Sequence, residues 1–220
     1  MKHVFLSHIL ENEMPVYGGK ALLNIRNVKS IGRGDSANVF SFTMENHWGT
    51  HVDCPAHFFN NGYGIIDYPA EKWFFEKPYV VNLDLSENEI AEQKQIGDIP
   101  DKTDMVLIKT SFSRFRDNYK YATNNPGISP DVGFWLREKH PSVRAVGFDF
   151  ISISSYQNRA LGRETHLAFL NPNGINAPIL IIEDMDLSCD LTALHSVQIM
   201  PLRFSLMDSA PCTIIATIRG

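Results

Sequence analysis

The 220-residue chain is poor in cysteine: Cys54, Cys189 and Cys212 are an odd, scattered set with no CxxC pair. This excludes a disulfide framework and a thiolate zinc site, and it suggests a reducing compartment. Long hydrophobic runs are missing too. The opening residues, Met1 to His8, reach polar side chains after three apolar ones, too few for a secretory leader, and no apolar run approaches membrane-spanning length. There is no block of Lys and Arg, and the formal net charge is −5, so neither a nucleic-acid binder nor a basic membrane anchor is expected. Gly32 and Gly34 are too sparse for a phosphate loop, and no Lys-Ser/Thr ending follows them. The expectation is a cytoplasmic protein whose partners are small molecules or a second copy of itself.

Hydrophobic residues make up 44% of the chain and charged residues 20%, which suits a single globular domain spanning residues 1–220 with a substantial core.

The chemistry concentrates in His47-Trp48-Gly49-Thr50-His51-Val52-Asp53-Cys54-Pro55-Ala56-His57. His47, His51, Asp53 and His57 hold odd positions, while Trp48, Val52, Cys54 and Ala56 hold even ones. In an extended chain that alternation puts the polar set on one surface and the apolar set behind it. A helix would swing Asp53 roughly 200° away from His51 and would have to absorb Gly49 and Pro55. A straight strand would leave His47 and His51 about 13 Å apart at roughly 3.3 Å per residue, too far for one shared ion. The segment must therefore bend: Gly49 permits a bulge or a close backbone approach, and Pro55 stops the ladder before His57. Three histidines and an aspartate facing one spot are costly unless compensated, and a divalent cation compensates them most directly.

Along the chain, residues 3–10, 21–30 and 38–46 read as strands, with a turn-prone connection at 11–19 and an aromatic turn at 58–64. Residues 78–84 and 104–109 read as buried strands bracketing a polar, helical stretch from Ser86 to Gln95. Residues 120–128 read as loop. Pro130 to Lys139 reads as a helix with Ser129 as N-cap, leading into a buried strand at 145–151. Arg163 to Leu170 is helical, stopped by Asn171-Pro172-Asn173-Gly174, and 178–183 is an apolar strand ending in Glu183, which by itself reads as a surface acid. Gln198–Phe204 and Cys212–Ile218 close the chain as strands, and His195 reads as an ordinary polar residue. The strand–helix–strand order implies α/β character with parallel pairing.

The segment from His47 to His57 matches every fixed position of the HxGTHxDxPxH signature of a metal-dependent hydrolase family that includes bacterial kynurenine formamidase, isatin hydrolase and proteins described as cyclases. The resemblance continues at Leu6-Ser7-His8, Met14-Pro15-Val16-Tyr17, Pro55 to Phe59, Val106 to Thr110, Pro126 to Ser129, Gly147-Phe148-Asp149 and Ile181-Ile182-Glu183. It implies an α/β chain of the swivelling β/β/α type, a mixed sheet with flanking helices, acting as a homodimer on carbon–nitrogen amide bonds of a small aromatic substrate. It also implies a divalent metal cofactor, Zn2+ or Mn2+, as one or two ions per chain. By that resemblance His47, His51 and Asp53 hold the first metal, Asp53 reaches a second with His166 and Glu183, and His57 moves the proton. Tyr17 falls where formamidases carry a tryptophan that touches the substrate. The chain departs from the pattern there and in a longer stretch between His166 and Glu183, with Asn171 to Gly174 as the insertion. Two other readings of the residues are an iron oxygenase, with His51, Asp53 and His166 as a facial triad, and a non-enzymatic metal-binding module.

Overall fold

Fifteen strands and four α-helices make up the chain, which a computed structural model describes over residues 1–220. In order the strands are β1 (Lys2–Phe5), β2 (Glu13–Val16), β3 (Gly19–Leu22), β4 (Asn24–Lys29), β5 (Val39–Thr43), β6 (His51–Asp53), β7 (Phe74–Phe75), β8 (Pro78–Asn82), β9 (Ile90–Ala91), β10 (Met105–Lys109), β11 (Gly127–Ile128), β12 (Ala145–Phe148), β13 (Leu180–Glu183), β14 (Leu194–Pro201) and β15 (Ser209–Ile218). The helices are α1 (Gln93–Ile96), α2 (Tyr119–Thr123), α3 (Pro130–Lys139) and α4 (Arg159–Leu170). Nine strands form one mixed sheet in the order β7-β14-β15-β6-β13-β12-β10-β8, with β1 added to β15. Strands β8, β10, β12 and β13 are parallel. Strand β6 runs antiparallel to both β13 and β15.

The apolar runs of β10, β12 and β13 are buried on both faces, as parallel strands with crossover connections require. Val106, Ile108, Val146, Phe148 and Ile181 pack on one side with Val132 and Leu136 of α3 and Phe169 of α4. Met105, Leu107, Ala145, Leu180 and Ile182 point the other way, onto Val52 and onto Val197, Ile199, Ile214 and Ala216 of β14 and β15. That second core takes no residue from an α-helix, so the sheet curls and closes one face on itself while α3 and α4 cover the other. The mixed sheet with flanking helices is as the resemblance implied.

Several sequence expectations need correction. The stretch from Ser86 to Gln95 is not one helix: Ile90–Ala91 pairs with β11, and only Gln93–Ile96 is helical, because Glu92 and Gln95 form a reciprocal cap that starts a helix there and no earlier. Residues 120–128 are not plain loop; α2 begins at Tyr119 with the Asn118 side chain accepting from the Lys120 amide. Residues 11–19 contribute to the β2–β3 hairpin, turned at Tyr17-Gly18. The first strand ends at Phe5, the 21–30 stretch is broken at Leu23, and α4 starts four residues before Arg163. The segment expected at 198–204 runs from Leu194 to Pro201. Ser129 does occupy the cap position of α3, but its side chain makes no capping hydrogen bond.

The loop after α4 is held by Arg137, which is buried without a carboxylate partner. Its guanidinium donates to the carbonyls of Ala168, Asn171, Ile175 and Asn176, and Asn176 Nδ2 donates back to the Arg137 carbonyl. A cation on the last carbonyls of a helix satisfies groups that have no partner within it. The loop is thus an ordered bridge from α4, which carries His166, to β13, which carries Glu183.

Candidate active site

The site forms beyond the carboxyl ends of parallel strands β12 and β13, the usual location for ligands in open α/β sheets. Sheet register does much of the assembly. On β6, Glu183 is opposite His51 and Ile181 opposite Asp53 on one side; Ser209 is opposite Asp53 on the other. Directly paired residues share a face at about 5 Å, so pairing alone sets Glu183 against His51. Only His51–Asp53 of the eleven-residue segment is strand; Gly49 bends the chain at φ +65°, where a Cβ would collide with Leu10. Pro55 ends the strand by starting a short 3₁₀ turn over Pro55–His57. The bend returns His47 to within reach: its Nδ1 is 3.1 Å from Asp53 Oδ1.

The two deepest histidines are held alike. His51 Nδ1 lies 2.8 Å from the Gly49 carbonyl and His166 Nδ1 lies 2.9 Å from the Gly162 carbonyl. A carbonyl can only accept, so each Nδ1 carries a hydrogen, and in the neutral imidazole that leaves each Nε2 with its lone pair. His51 Nε2 faces Asp53 Oδ1 and Glu183 Oε2, each at 3.5 Å. His166 Nε2 faces Asp53 Oδ2 at 3.8 Å and Glu183 Oε1 at 3.7 Å. Lone pairs confronting carboxylates repel unless a cation stands between them. His51 Nε2 and Asp53 Oδ1 are buried and have no hydrogen-bond partner, which is the arrangement a metal ion satisfies.

Glu183, read from the residues alone as a surface acid, is buried. Its Oε1 accepts from the Ile153 amide at 2.8 Å and from Ser152 Oγ at 3.0 Å, which aims Oε2 at His51. Beneath it, Asp184 takes a left-handed backbone at φ +51° and receives Arg116 and the Tyr121 hydroxyl on its carboxylate. Thr50 Oγ1 donates to the Asp184 carbonyl and accepts from the His8 amide, locking the strand entry to the end of β13. On α4, a side chain at Gly162 would strike Ser154, so glycine there lets the helix approach until Ser154 Oγ is 3.4 Å from His166 Nδ1.

Asp208, Asn46 and Ser209 were missed by the sequence reading. Asp208 Oδ2 accepts from His57 Nδ1 at 2.7 Å and lies 3.4 Å from His47 Nε2. Asn46 Nδ2 donates to Asp208 Oδ1 at 2.8 Å, and Ser209 Oγ is 3.1 Å from His47 Nε2. These residues lie at the start of β15 and before the bend, and only strand pairing brings them to His57. Burial works against a charge on His47, but the carboxylates of Asp208 and Asp53 beside it push it up to about 10. His47 at 3.4 Å and the hydrogen bond from His57 hold the Asp208 carboxyl far below the usual carboxylate range. Burial opposes ionisation of Asp53, yet the charges of His51, His47 and His57 hold it well below that range too. The cluster is one in which two carboxylates stay ionised and demand cations.

Tyr17 stands at the edge of this cluster, its hydroxyl donating to the Ser155 carbonyl at 3.3 Å. Its ring meets Tyr156 edge to face, with centroids 5.2 Å apart. Phe58 stacks on the His166 ring at 4.6 Å, giving an aromatic wall beside the polar floor. Thus His47, His51, Asp53, His57, His166 and Glu183 converge, with Tyr17 next to them. His195 stays apart on β14, half-buried and paired with Arg219.

Among relatives, the kynurenine formamidase of Bacillus anthracis is 25% identical over 96% of this chain and 94% of its own. Cyclase-like protein 2 of Oryza sativa subsp. japonica is 25% identical over 94% of this chain and 75% of its own. The fold of isatin hydrolase A from Labrenzia aggregata, solved with benzyl benzoate, superposes with a TM-score of 0.79 at 19% identity, covering 99% of this chain and 94% of that one. The family model described as "Putative cyclase" matches residues 4–155, the span that carries the bent histidine segment, and the chain belongs to the cyclase family.

Proposed function

We propose that this chain is a metal-dependent hydrolase that opens a carbon–nitrogen amide bond, linear or cyclic, in a small aromatic substrate. The observation that carries this reading is the pair of buried, unpartnered atoms, His51 Nε2 and Asp53 Oδ1, facing each other across 3.5 Å. His47, His51 and Asp53 would hold a first ion, and Asp53, His166 and Glu183 a second; the nitrogen-and-carboxylate donor set suits zinc or manganese. A divalent ion bound there supplies a Lewis acid for the carbonyl and water acidified toward neutrality. The chain's own residues do the rest. His57 takes the proton of the attacking water at Nε2, because Asp208 holds the hydrogen on Nδ1. As the new carbon–oxygen bond forms and the carbon–nitrogen bond breaks, His57 returns that proton to the departing nitrogen. Phe58 and Tyr17 wall the aromatic part of the substrate and keep water from it. An iron-oxygenase reading with His51, Asp53 and His166 leaves His47 and His57 idle, although both touch Asp208.

Elemental analysis of the purified protein is expected to find zinc or manganese. With the metal restored, turnover of N-formylkynurenine or isatin should be lost to a chelator. Metal-free protein that hydrolyses either amide at an undiminished rate would end this reading.

We infer further that the partner is a second copy of the chain. All eleven strand residues of the β4–β5 hairpin are exposed, Ile25, Val28, Val39, Phe40 and Phe42 among them, and a lone two-stranded ribbon is marginal in water. At its base a cavity of about 450 Å³ is lined by Phe42, Met44, Leu202, Phe204 and Met207, so the apolar surface continues onto the body. Sedimentation is expected at twice the chain mass, falling to a single chain when Phe40 and Phe42 are both changed to Ser; a wild-type monomer would remove the dimer.

A further inference from the structure

We propose that Asn125 is a positioning residue of the active site: its side-chain amide sets the loop from Ser152 to Tyr156, and that loop sets the side chains that would hold metal and wall the substrate. The proposal rests on the metal-dependent hydrolase reading and adds a residue to it. Asn125 is fully buried, and both ends of its amide are used. Its Nδ2 donates to the carbonyls of Ser152 at 3.1 Å, Ser154 at 2.8 Å and Pro126 at 2.8 Å, while Oδ1 accepts from the Tyr156 amide at 3.0 Å. Carbonyls only accept and a backbone N–H only donates, so a single orientation of the side chain fits. None of its partners is a residue that would bind metal, so Asn125 reaches the site through the loop alone.

The loop residues held this way meet the site with their remaining atoms. Ser152 Oγ and the Ile153 amide donate to Glu183 Oε1 at 3.0 and 2.8 Å. Ser154 Oγ is 3.4 Å from His166 Nδ1, and the Ser154 amide donates to Ser152 Oγ at 3.2 Å. The Ser155 carbonyl receives the Tyr17 hydroxyl at 3.3 Å. The chain that follows Asn125 supports the same parts. The Ile128 amide donates to the Ile153 carbonyl at 3.0 Å, and the Ile128 carbonyl receives Thr165 Oγ1, one residue before His166, at 2.7 Å. The segment from Asn125 to Ile128 thus stands behind both the loop and α4. A connecting loop is mobile unless its backbone groups find partners. Here one buried carboxamide supplies partners at Ser152, Ser154 and Tyr156, and Glu183 and His166 inherit the order it imposes.

The test is Asn125→Asp, which keeps the shape and the bond from Tyr156 but turns the donor facing three carbonyls into an acceptor. In metal-free protein, hydrogen exchange of the Ile153 amide, whose partner is Glu183, is expected to quicken more than about tenfold relative to the Leu107 amide of β10. Zinc titrated into the same protein against a chromophoric chelator should bind about 10- to 100-fold more weakly, the loss typical of groups that orient metal ligands. Ile199→Ala, a core truncation on β14, lowers stability without touching the loop, and it should leave the exchange ratio and the zinc affinity within about threefold. Asn125→Ser keeps one hydroxyl donor and carries the same test, with a smaller effect, should Asn125→Asp fail to fold. Neither readout needs turnover. Both changes in a protein that opens no amide support the positioning role while removing the hydrolase reading. Wild-type values for both, either change without the other, or losses that Ile199→Ala matches overturn the positioning role and leave the hydrolase reading standing.

Discussion

His57→Ala is expected to retain its metal and to lose about 10²- to 10⁴-fold in turnover, the range that a positioned acid–base group contributes. The separation of the two effects comes from what His57 touches. Its Nδ1 is tied to Asp208 Oδ2 at 2.7 Å. That carboxylate is itself fixed by Asn46 Nδ2 and leans on His47. Truncating His57 removes a proton carrier from one edge of this network and leaves His47, His51 and Asp53 in place. Half-exposed at the rim, the ring leaves no large cavity behind, so the fold should tolerate the change. Metal content by elemental analysis and turnover on the same preparation decide the matter. Wild-type turnover would remove His57 from the reaction. Loss of metal together with turnover would make it a ligand, a role its place beside His47 and Asp53 also permits. Asp208→Asn distinguishes further: an amide can present its NH₂ to Nδ1 and leave the hydrogen on Nε2, so kcat should fall while KM stays near its wild-type value.

What could be read from residue order is what depends on short range. Alternation at His47, His51, Asp53 and His57, broken by Gly49 and Pro55, places four side chains on one surface, and the bend occurs at those two residues. Continuous apolar runs at 104–109, 145–151 and 178–183 mark the parallel strands, because strands covered on both faces lose alternation. Asp208 could not be found this way. It precedes a strand of ordinary composition, and its role comes from the antiparallel pairing of β15 with β6, across more than 150 residues of chain. Glu183 shows the same limit from the other side: a carboxylate at a strand end is usually wet, and only pairing with β6, plus the Ile153 amide and Ser152, accounts for its burial. The errors at 86–95 and 120–128 are of a different kind. Short strands such as Ile90–Ala91 and Gly127–Ile128 exist because they meet each other, and neither has enough periodicity to be seen alone.

Asp53→Asn is the substitution from which the largest loss of metal is expected. The two oxygens of Asp53 are divided: Oδ1 faces His47 and His51, Oδ2 faces His166. Glu183 also spans His51 and His166, but Asp53 alone reaches His47 as well, and an amide in its place offers one weak neutral oxygen and a hydrogen donor. Metal content should fall below about a tenth of the wild-type value, with turnover lost alongside. His166→Ala, by contrast, touches one set, and with two ions per chain it should lose one and keep the other. Asparagine matches aspartate in shape, so packing around β6 is preserved. The change also removes the buried anion that balances His47, whose imidazole is held up near 10 by Asp53 and Asp208. Breaking a buried charge pair costs about 3–5 kcal/mol; His47, only partly buried and still paired with Asp208, should lose less and shed its proton nearer neutral pH. A melting temperature close to that of the metal-free wild type would show that the fold survives and that the loss belongs to the site. Full metal occupancy in Asp53→Asn would mean that the histidines alone hold the ion, and the bridging role of Asp53 would be gone.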